Sequence, residues 1–189
     1  MRKRSDMEQV ALYKGVKVLS LAPYLPKANN NESHSADEHS RNLIKFKNGN
    51  SDAISYMEKR LTDILRASSL KGESFYIATI PPSTKGKAHP GFKDLIANLS
   101  KNFKILNPTA NILKRTESKT PAHLGGSRKK ADILSTLAIP PEITLHIKGK
   151  PILLLDDITT TTNSLQAGID LLLEKQARVV VAIALGRTV

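Results

Sequence analysis

Pro151-Ile-Leu-Leu-Leu-Asp156-Asp157-Ile158-Thr159-Thr160-Thr161-Thr162-Asn163-Ser164-Leu165 is the stretch on which the reading of this chain turns. Pro151 to Leu155 is wholly apolar, as expected of a strand buried on both faces of a parallel sheet. Two adjacent carboxylates end it. Thr, Asn and Ser then open a helix, whose apolar face is marked by Leu165, Ile169, Leu172 and Leu173 at helical spacing. Open α/β sheets bind ligands at the carboxyl ends of their strands. The first N–H groups of the following helix have no intrahelical partner and attract an anion such as phosphate. Hydroxyls and amides from Thr159 to Ser164 add hydrogen bonds around that anion. Asp156 and Asp157 can accept bonds from two vicinal hydroxyls, or flank a divalent cation. Taken singly, an Asp-Asp turn and a hydroxyl-rich cap are ordinary surface features; their order here is what carries information.

Working outward, Val179 to Leu185 reads as a second buried strand, and Phe75 to Ile80 as another, ended by Pro81-Pro82. Phe92, Leu95, Ile96 and Leu99 mark a helix. Ala110 to Leu113 reads as a short strand, followed by a polar stretch from Lys114 to Lys130. A helical turn is expected at Ile133 to Leu137 and a strand at Ile143 to Ile147. Towards the N-terminus, Val10 to Leu21 gives one or two strands around Gly15. Lys27 to Arg41 is polar and aperiodic, hence a mobile loop. Leu43 to Lys47 alternates as a short strand, and Asn50 or Ser51 caps a helix with Ile54, Met57, Leu61, Ile64 and Leu65 on one face, running to about Ser68. Strands alternating with helices predict an α/β domain, a central parallel β-sheet flanked by helices.

The 189 residues suit a single domain. Hydrophobic content of 40% and charged content of 24% are those of a folded globular chain. No apolar run approaches the roughly 18 residues of a membrane span. The basic start lacks the apolar stretch of a secretory signal, so the expected location is the cytoplasm. With no cysteine, disulfides and thiol catalysis are excluded. The net charge of +12 is concentrated: residues 81–130 hold eleven basic side chains against Asp94 and Glu117. Such a field suits nucleic acid or a small polyanion, and equally a merely solvated basic surface. The five histidines show no metal-ligand spacing; His34 and His39 are expected in solvent, and His123 falls in the basic polar stretch.

Ile152 to Leu165 resembles the phosphoribosyl-pyrophosphate (PRPP) signature of the type I phosphoribosyltransferases: an apolar strand, Asp-Asp-apolar-x-Thr-Thr-Gly-x-Thr/Ser-Leu. The resemblance implies that fold, with Asp156 and Asp157 on the ribose hydroxyls. Thr159, Thr160, Thr161, Thr162, Asn163 and Ser164 would surround the 5-phosphate. Mg²⁺ would be held near Asp156 and Asp157, mainly through PRPP. Where the family has glycine, this chain has Thr162. The family's pyrophosphate loop corresponds in position to Ile80–Lys87, with Pro82, Ser83, Thr84 and Lys85. Its flexible basic loop corresponds to Lys114–Lys130, with Arg115, Lys119, Arg128, Lys129 and Lys130; Arg128 would take a catalytic part beside the two aspartates. Read without the family, the first is an ordinary exposed turn and the second an ordinary connection.

Phe75 to Val189 most resembles the ComF-like branch, which is linked to competence and DNA uptake. On this reading residues 75–189 are the core and residues 1–74 a variable N-terminal hood over the acceptor. The expected activity is transfer of phosphoribose, and dimers are common in the family. Two other functions stay open: a PRPP or nucleotide sensor without catalysis, favoured by Thr162, and a nucleic-acid-binding protein, favoured by the charge of residues 81–130. With four Phe, four Tyr and no Trp, platforms for stacking single-stranded bases are few.

Overall fold

The computed structural model describes residues 7–25, 37–107, 111–118 and 129–189. In chain order its elements are β1 (Glu8–Tyr13), β2 (Val16–Ser20), β3 (Pro23–Tyr24), α1 (Glu38–Lys47), α2 (Ser51–Ala67), β4 (Ser74–Thr79), α3 (Pro90–Leu99) and β5 (Lys104–Ile105). They continue as β6 (Lys114–Arg115), α4 (Lys130–Leu134), β7 (Leu137–Ala138), α5 (Pro141–Ile147), β8 (Pro151–Thr159), α6 (Asn163–Glu174) and β9 (Arg178–Thr188).

Among the described residues the main sheet has seven strands, in the order β1-β2-β9-β8-β4-β5, with β3 also on β9. Every pairing is parallel except the β1–β2 hairpin. That hairpin turns through Lys14 and Gly15, both at positive φ (48° and 79°), the geometry that matches a two-residue turn to strand twist.

The apolar run of β8 is buried throughout and sorts its side chains by the two-residue period of a strand. Ile152 and Leu154 meet Leu165, Ile169 and Leu172 of α6 on one face. Leu153 and Leu155 face the other way, into a core filled by α1, α2 and α3 through Leu43, Phe46, Met57, Leu61 and Leu95. Each such side chain, taken out of water, contributes about 1.5–3 kcal/mol. The result is a mostly parallel α/β sheet covered by helices on both faces.

The connections reverse between β4 and β8. From β4 the chain passes through α3 to β5 on one side; from β8 it passes through α6 to β9 on the other. The carboxyl ends of β4 and β8 lie together, with Thr79 opposite Leu155 and the Ile80 N–H bonded to the Leu155 carbonyl at 2.8 Å. Such a reversal leaves a crevice outside the strand ends, the usual ligand position in open α/β sheets.

On its other side β4 is paired with β5 only at Ser74 and Phe75. Two asparagines continue the ladder. Asn107 accepts from the Ile77 N–H (2.9 Å) and donates to the Ile77 carbonyl (2.7 Å), and Asn111 does the same for Thr79 (2.9 Å each).

Several expectations are corrected. Residues 38–41, expected in a mobile loop, and residues 43–47, expected as a strand, form α1; residues 26–36 lie outside the described residues. Asp37 caps α1 by accepting from the Ser40 N–H at 3.1 Å, and His39, Leu43 and Phe46 recur on its buried side. The strand expected at Ala110–Leu113 falls at Lys114–Arg115 instead; Ala110 lies outside the described residues. Residues 143–147 form α5, not a strand, because Pro140 and Pro141 start a helix at the position where a missing N–H does no harm. The turn expected at Ile133–Leu137 divides into the end of α4 and the start of β7. His39 is buried, not solvated, and donates from Nε2 to the Leu185 carbonyl at 2.6 Å.

The described part of the expected hood is integral to the core. β2 pairs with β9, and α1 and α2 cover one face of the sheet together with α3. Gly91 at the start of α3 lets α1 approach: a Cβ there would lie 2.2 Å from the Phe46 carbonyl oxygen. This contact brings the end of α1 to the mouth of the crevice.

Candidate functional site

β8 carries Asp156 and Asp157 to the crevice, and its parallel partner β9 places Asp156 opposite Ala184. Asp156 is 5% exposed. Its Oδ1 accepts the Asp157 N–H at 2.9 Å, and Asp157 Oδ1 accepts the Ile158 N–H at 2.5 Å. Asp157 Oδ2 lies 3.0 Å from the Lys47 ammonium and 3.4 Å from Nε2 of His89.

These surroundings separate the two acids. Burial pushes the Asp156 carboxyl well above the usual carboxylate range, and the charge of Asp157 pushes it the same way. Burial acts on Asp157 too, but His89 and Lys47 outweigh it and hold that carboxyl well below the usual range. The two acids are thus pushed in opposite directions, Asp156 towards its neutral form and Asp157 towards its ionised form, the separation that proton-handling sites use.

A stability consequence follows for Asp156. A carboxyl raised in the fold contributes stability below its unfolded value near 3.8 and loses it as pH climbs through the folded value. Asparagine keeps the acceptor for the Asp157 N–H without that penalty. Asp156→Asn is expected to be more stable than the parent at neutral pH by about 1–2 kcal/mol, with the gap closing towards pH 4. Urea unfolding at a series of pH values measures it.

The polar turn after β8 has an unusual backbone. Thr162, the N-cap of α6, lies in the left-handed region (φ 60°, ψ 0°). Its N–H donates to Thr159 Oγ1 at 2.9 Å. Its hydroxyl does not cap the helix but accepts from the Gln166 side chain at 2.9 Å. The first turn of α6 is therefore left without a side-chain cap. Thr160 and Thr161 are exposed beside it, Asn163 and Ser164 are half-buried, and Thr160 bonds to Thr188 at 3.2 Å.

A β-branched residue in the left-handed region costs about 1–2 kcal/mol. Inside a helix alanine is more stable than glycine by about 1 kcal/mol. At position 162 the order is expected to reverse, with Thr162→Gly more stable than Thr162→Ala by about 1 kcal/mol. Denaturant midpoints of the two variants, both lacking the Gln166 bond, give the comparison directly.

Across the crevice, Pro82, Ser83, Thr84 and Lys85 form the loop after β4. The Lys85 N–H is held by Ser118 Oγ at 2.9 Å, and the Lys87 N–H by the Thr84 carbonyl at 3.3 Å. Arg115, expected in a flexible loop, is buried on β6 and pins this one. It donates from Nε to the Pro82 carbonyl (3.2 Å), from Nη2 to the Pro81 carbonyl (3.1 Å) and from Nη1 to Thr136 Oγ1 (2.6 Å) and the Ile133 carbonyl (3.5 Å). Burial lowers its pKa from the usual value, opposed by the charge of Asp156.

Lys130 is also placed differently from expectation. It sits on α4, bonded to Asp170 Oδ2 (2.8 Å) and the Tyr13 hydroxyl (2.6 Å), with Lys14 on the same carboxylate at 2.6 Å. This cluster ties the β1–β2 hairpin and α4 to α6, and no described contact joins it to the aspartates. Lys129 is the N-cap of α4, without a side-chain capping bond. Lys119, Arg128 and His123 lie outside the described residues, as does His34.

Thus the Asp156–Ser164 segment and the Pro82–Lys85 loop leave the adjacent carboxyl ends of β8 and β4. Two partners of Asp157 escaped the sequence reading. The alternation of Leu43 to Lys47 predicts a strand for Lys47, and its helical position is signalled only by Asp37 and the spacing of His39, Leu43 and Phe46. His89 stands directly before Pro90, which starts α3, and packs between the rings of Phe46 (5.4 Å) and Phe92 (4.7 Å). No group of three or more His, Asp or Glu side chains able to hold a metal ion occurs among the described residues. No protein-family model matches the chain, and no curated protein sequence matches it either.

Proposed function

We propose that this chain is a phosphoribosyltransferase of the type I kind, binding PRPP at the carboxyl ends of β4 and β8. The observation that carries the proposal is the turn at Thr162. The signature has glycine there, and this chain holds Thr162 at positive φ, directly before an uncapped helix start and after two adjacent acids shifted in opposite directions. A 5-phosphate fits the first-turn N–H groups of α6, with hydroxyls from Thr159 to Ser164 around it. The ionised Asp157 accepts the ribose hydroxyls.

Mg²⁺ fits this donor set only in part. Asp156 and Asp157 would be its protein contacts, one of them already paired with Lys47, so phosphate oxygens must complete the shell, as is common for this ion. When bound, it neutralises the pyrophosphate. The chain's own contribution is positional. Arg115 fixes the loop that would receive the leaving pyrophosphate, and the α6 N-terminus anchors the far end of the sugar phosphate. As the bond from C1 to pyrophosphate oxygen breaks, its electron pair leaves with the pyrophosphate. The Asp157 carboxylate favours the positive charge left on the ring, and the acceptor's lone pair forms the new bond.

The test is calorimetric titration with PRPP, with and without Mg²⁺. Mg²⁺-dependent one-to-one binding, followed by pyrophosphate release with some acceptor, supports the reading; absence of binding in both conditions removes it. The Thr162 side chain, standing where the cradle elsewhere has only a hydrogen, favours a second reading, a PRPP sensor. Stoichiometric binding with no pyrophosphate released by any base or amine would select it. No helix among the described residues is long and apolar enough to cross a membrane.

A further inference from the structure

A cavity of about 700 Å³ lies against the loop after β4, and none of residues 156–164 borders it. Its size is that of a site for a small organic molecule. The walls are apolar and partly aromatic: Pro81, Pro82, Phe92, Leu113 and Ile143, with the His89 ring beside Phe92. Around them stand Lys85, Lys87, Lys93 and Lys114, against the single acid Glu142. No carboxylate among the described residues lies within ion-pair distance of these four lysines. Their charge is thus unpaired by any described carboxylate around a largely apolar space. Nδ1 of His89 is buried without a hydrogen bond, while Nε2 faces Asp157 at 3.4 Å. A polar group left so at a cavity wall calls for a partner.

We propose that this cavity is a second ligand site, for a small aromatic anion, separate from the Asp156–Ser164 segment though it shares Pro82 and Lys85 with the loop assigned to pyrophosphate. A flat ring would stack against Phe92 and the prolines, while its carboxylate, sulfonate or phosphate meets the lysines; ring and charge together match a wall that is neither purely apolar nor purely ionic. Lys93 on α3 and Lys114 on β6 approach from separate elements, so the anion is held from two sides. The phosphoribosyl site needs hydroxyl acceptors and an open helix start; this one offers neither.

The probe is 8-anilinonaphthalene-1-sulfonate, titrated by fluorescence into the full chain, with the uncharged N-phenyl-1-naphthylamine as its counterpart. Saturable one-to-one binding is expected, at least tenfold tighter for the anion than for the uncharged compound. Lys93→Ala/Lys114→Ala alters only exposed side chains and is expected to weaken the sulfonate at least tenfold. Ile143→Trp, filling the space from α5, is expected to abolish binding. Thr162→Gly, at a position whose hydrogen bonds run to Thr159 and Gln166 and to no residue of the cavity wall, should leave the probe's affinity unchanged, which keeps this site's failure separate from failure of the PRPP reading. Unchanged affinity in both cavity variants, or one-for-one displacement by inorganic pyrophosphate, overturns the proposal.

Discussion

Arg115→Met is expected to lower the stability of the fold by about 3 kcal/mol, because it removes a buried charged donor and strands the carbonyls it serves. The guanidinium satisfies Pro81, Pro82 and Ile133 oxygens together with Thr136, and it is 7% exposed. Methionine fills much of the volume but donates nothing. The neighbouring Lys114 is exposed, so Lys114→Met should stay within about 0.5 kcal/mol of the parent. Urea unfolding of the two variants separates burial from charge as the cause. An Arg115→Met protein with the parent's midpoint would mean that water or nearby groups replace the four bonds. The same substitution frees the Pro81–Pro82 turn, so PRPP affinity should fall together with stability.

Asp157→Asn should weaken PRPP binding between about tenfold and several hundredfold, the loss of one or two hydrogen bonds to a charged acceptor. The fold should survive, since the amide oxygen can still take the Ile158 N–H. Its acid sensitivity should change as well. A carboxyl held below its usual value contributes stability above pH 4 and loses it as pH falls further, so the variant should unfold less steeply with acid. Calorimetry at neutral pH and unfolding between pH 2 and 5 measure the two effects. Unchanged PRPP affinity would exclude Asp157 from the ribose.

The architecture was legible where one face or both faces of an element are buried. Pro151–Leu155 and Val179–Leu185 could hardly be anything but interior strands, and Ile54, Met57, Leu61 and Leu65 announce α2 by spacing alone. Legibility failed where short apolar sets fit two periods. Ile44 and Phe46, like Ile143, Leu145 and Ile147, alternate as a strand would, and the deciding cues were an Asp cap and a Pro pair outside the apolar set. Leu145 shows the cost of that ambiguity: it is 82% exposed on α5, while Ile147 is buried. The carboxylate and hydroxyl half of the site was legible because it is contiguous. Its cationic half was not: Lys47 and His89 reach Asp157 from α1 and from the turn before α3, and only the close approach at Gly91 brings those elements together. Charge could be counted along Lys114–Lys130, but not the fact that Arg115 points inward, where it meets carbonyls and not solvent.

The asparagines alongside β4 have a consequence for the protein as a solute. A parallel strand at the margin of a sheet exposes a row of amides that can recruit a strand from another molecule, the first step of edge-to-edge aggregation. Past Phe75, β4 would be such a margin, since its partner strand has only two residues. Asn107 and Asn111 occupy the N–H and C=O of Ile77 and of Thr79 with amides that lead nowhere. The sheet is thereby terminated by side chains, and a chain rich in buried β-branched and leucine strands carries its own barrier to polymerising through its most apolar layer.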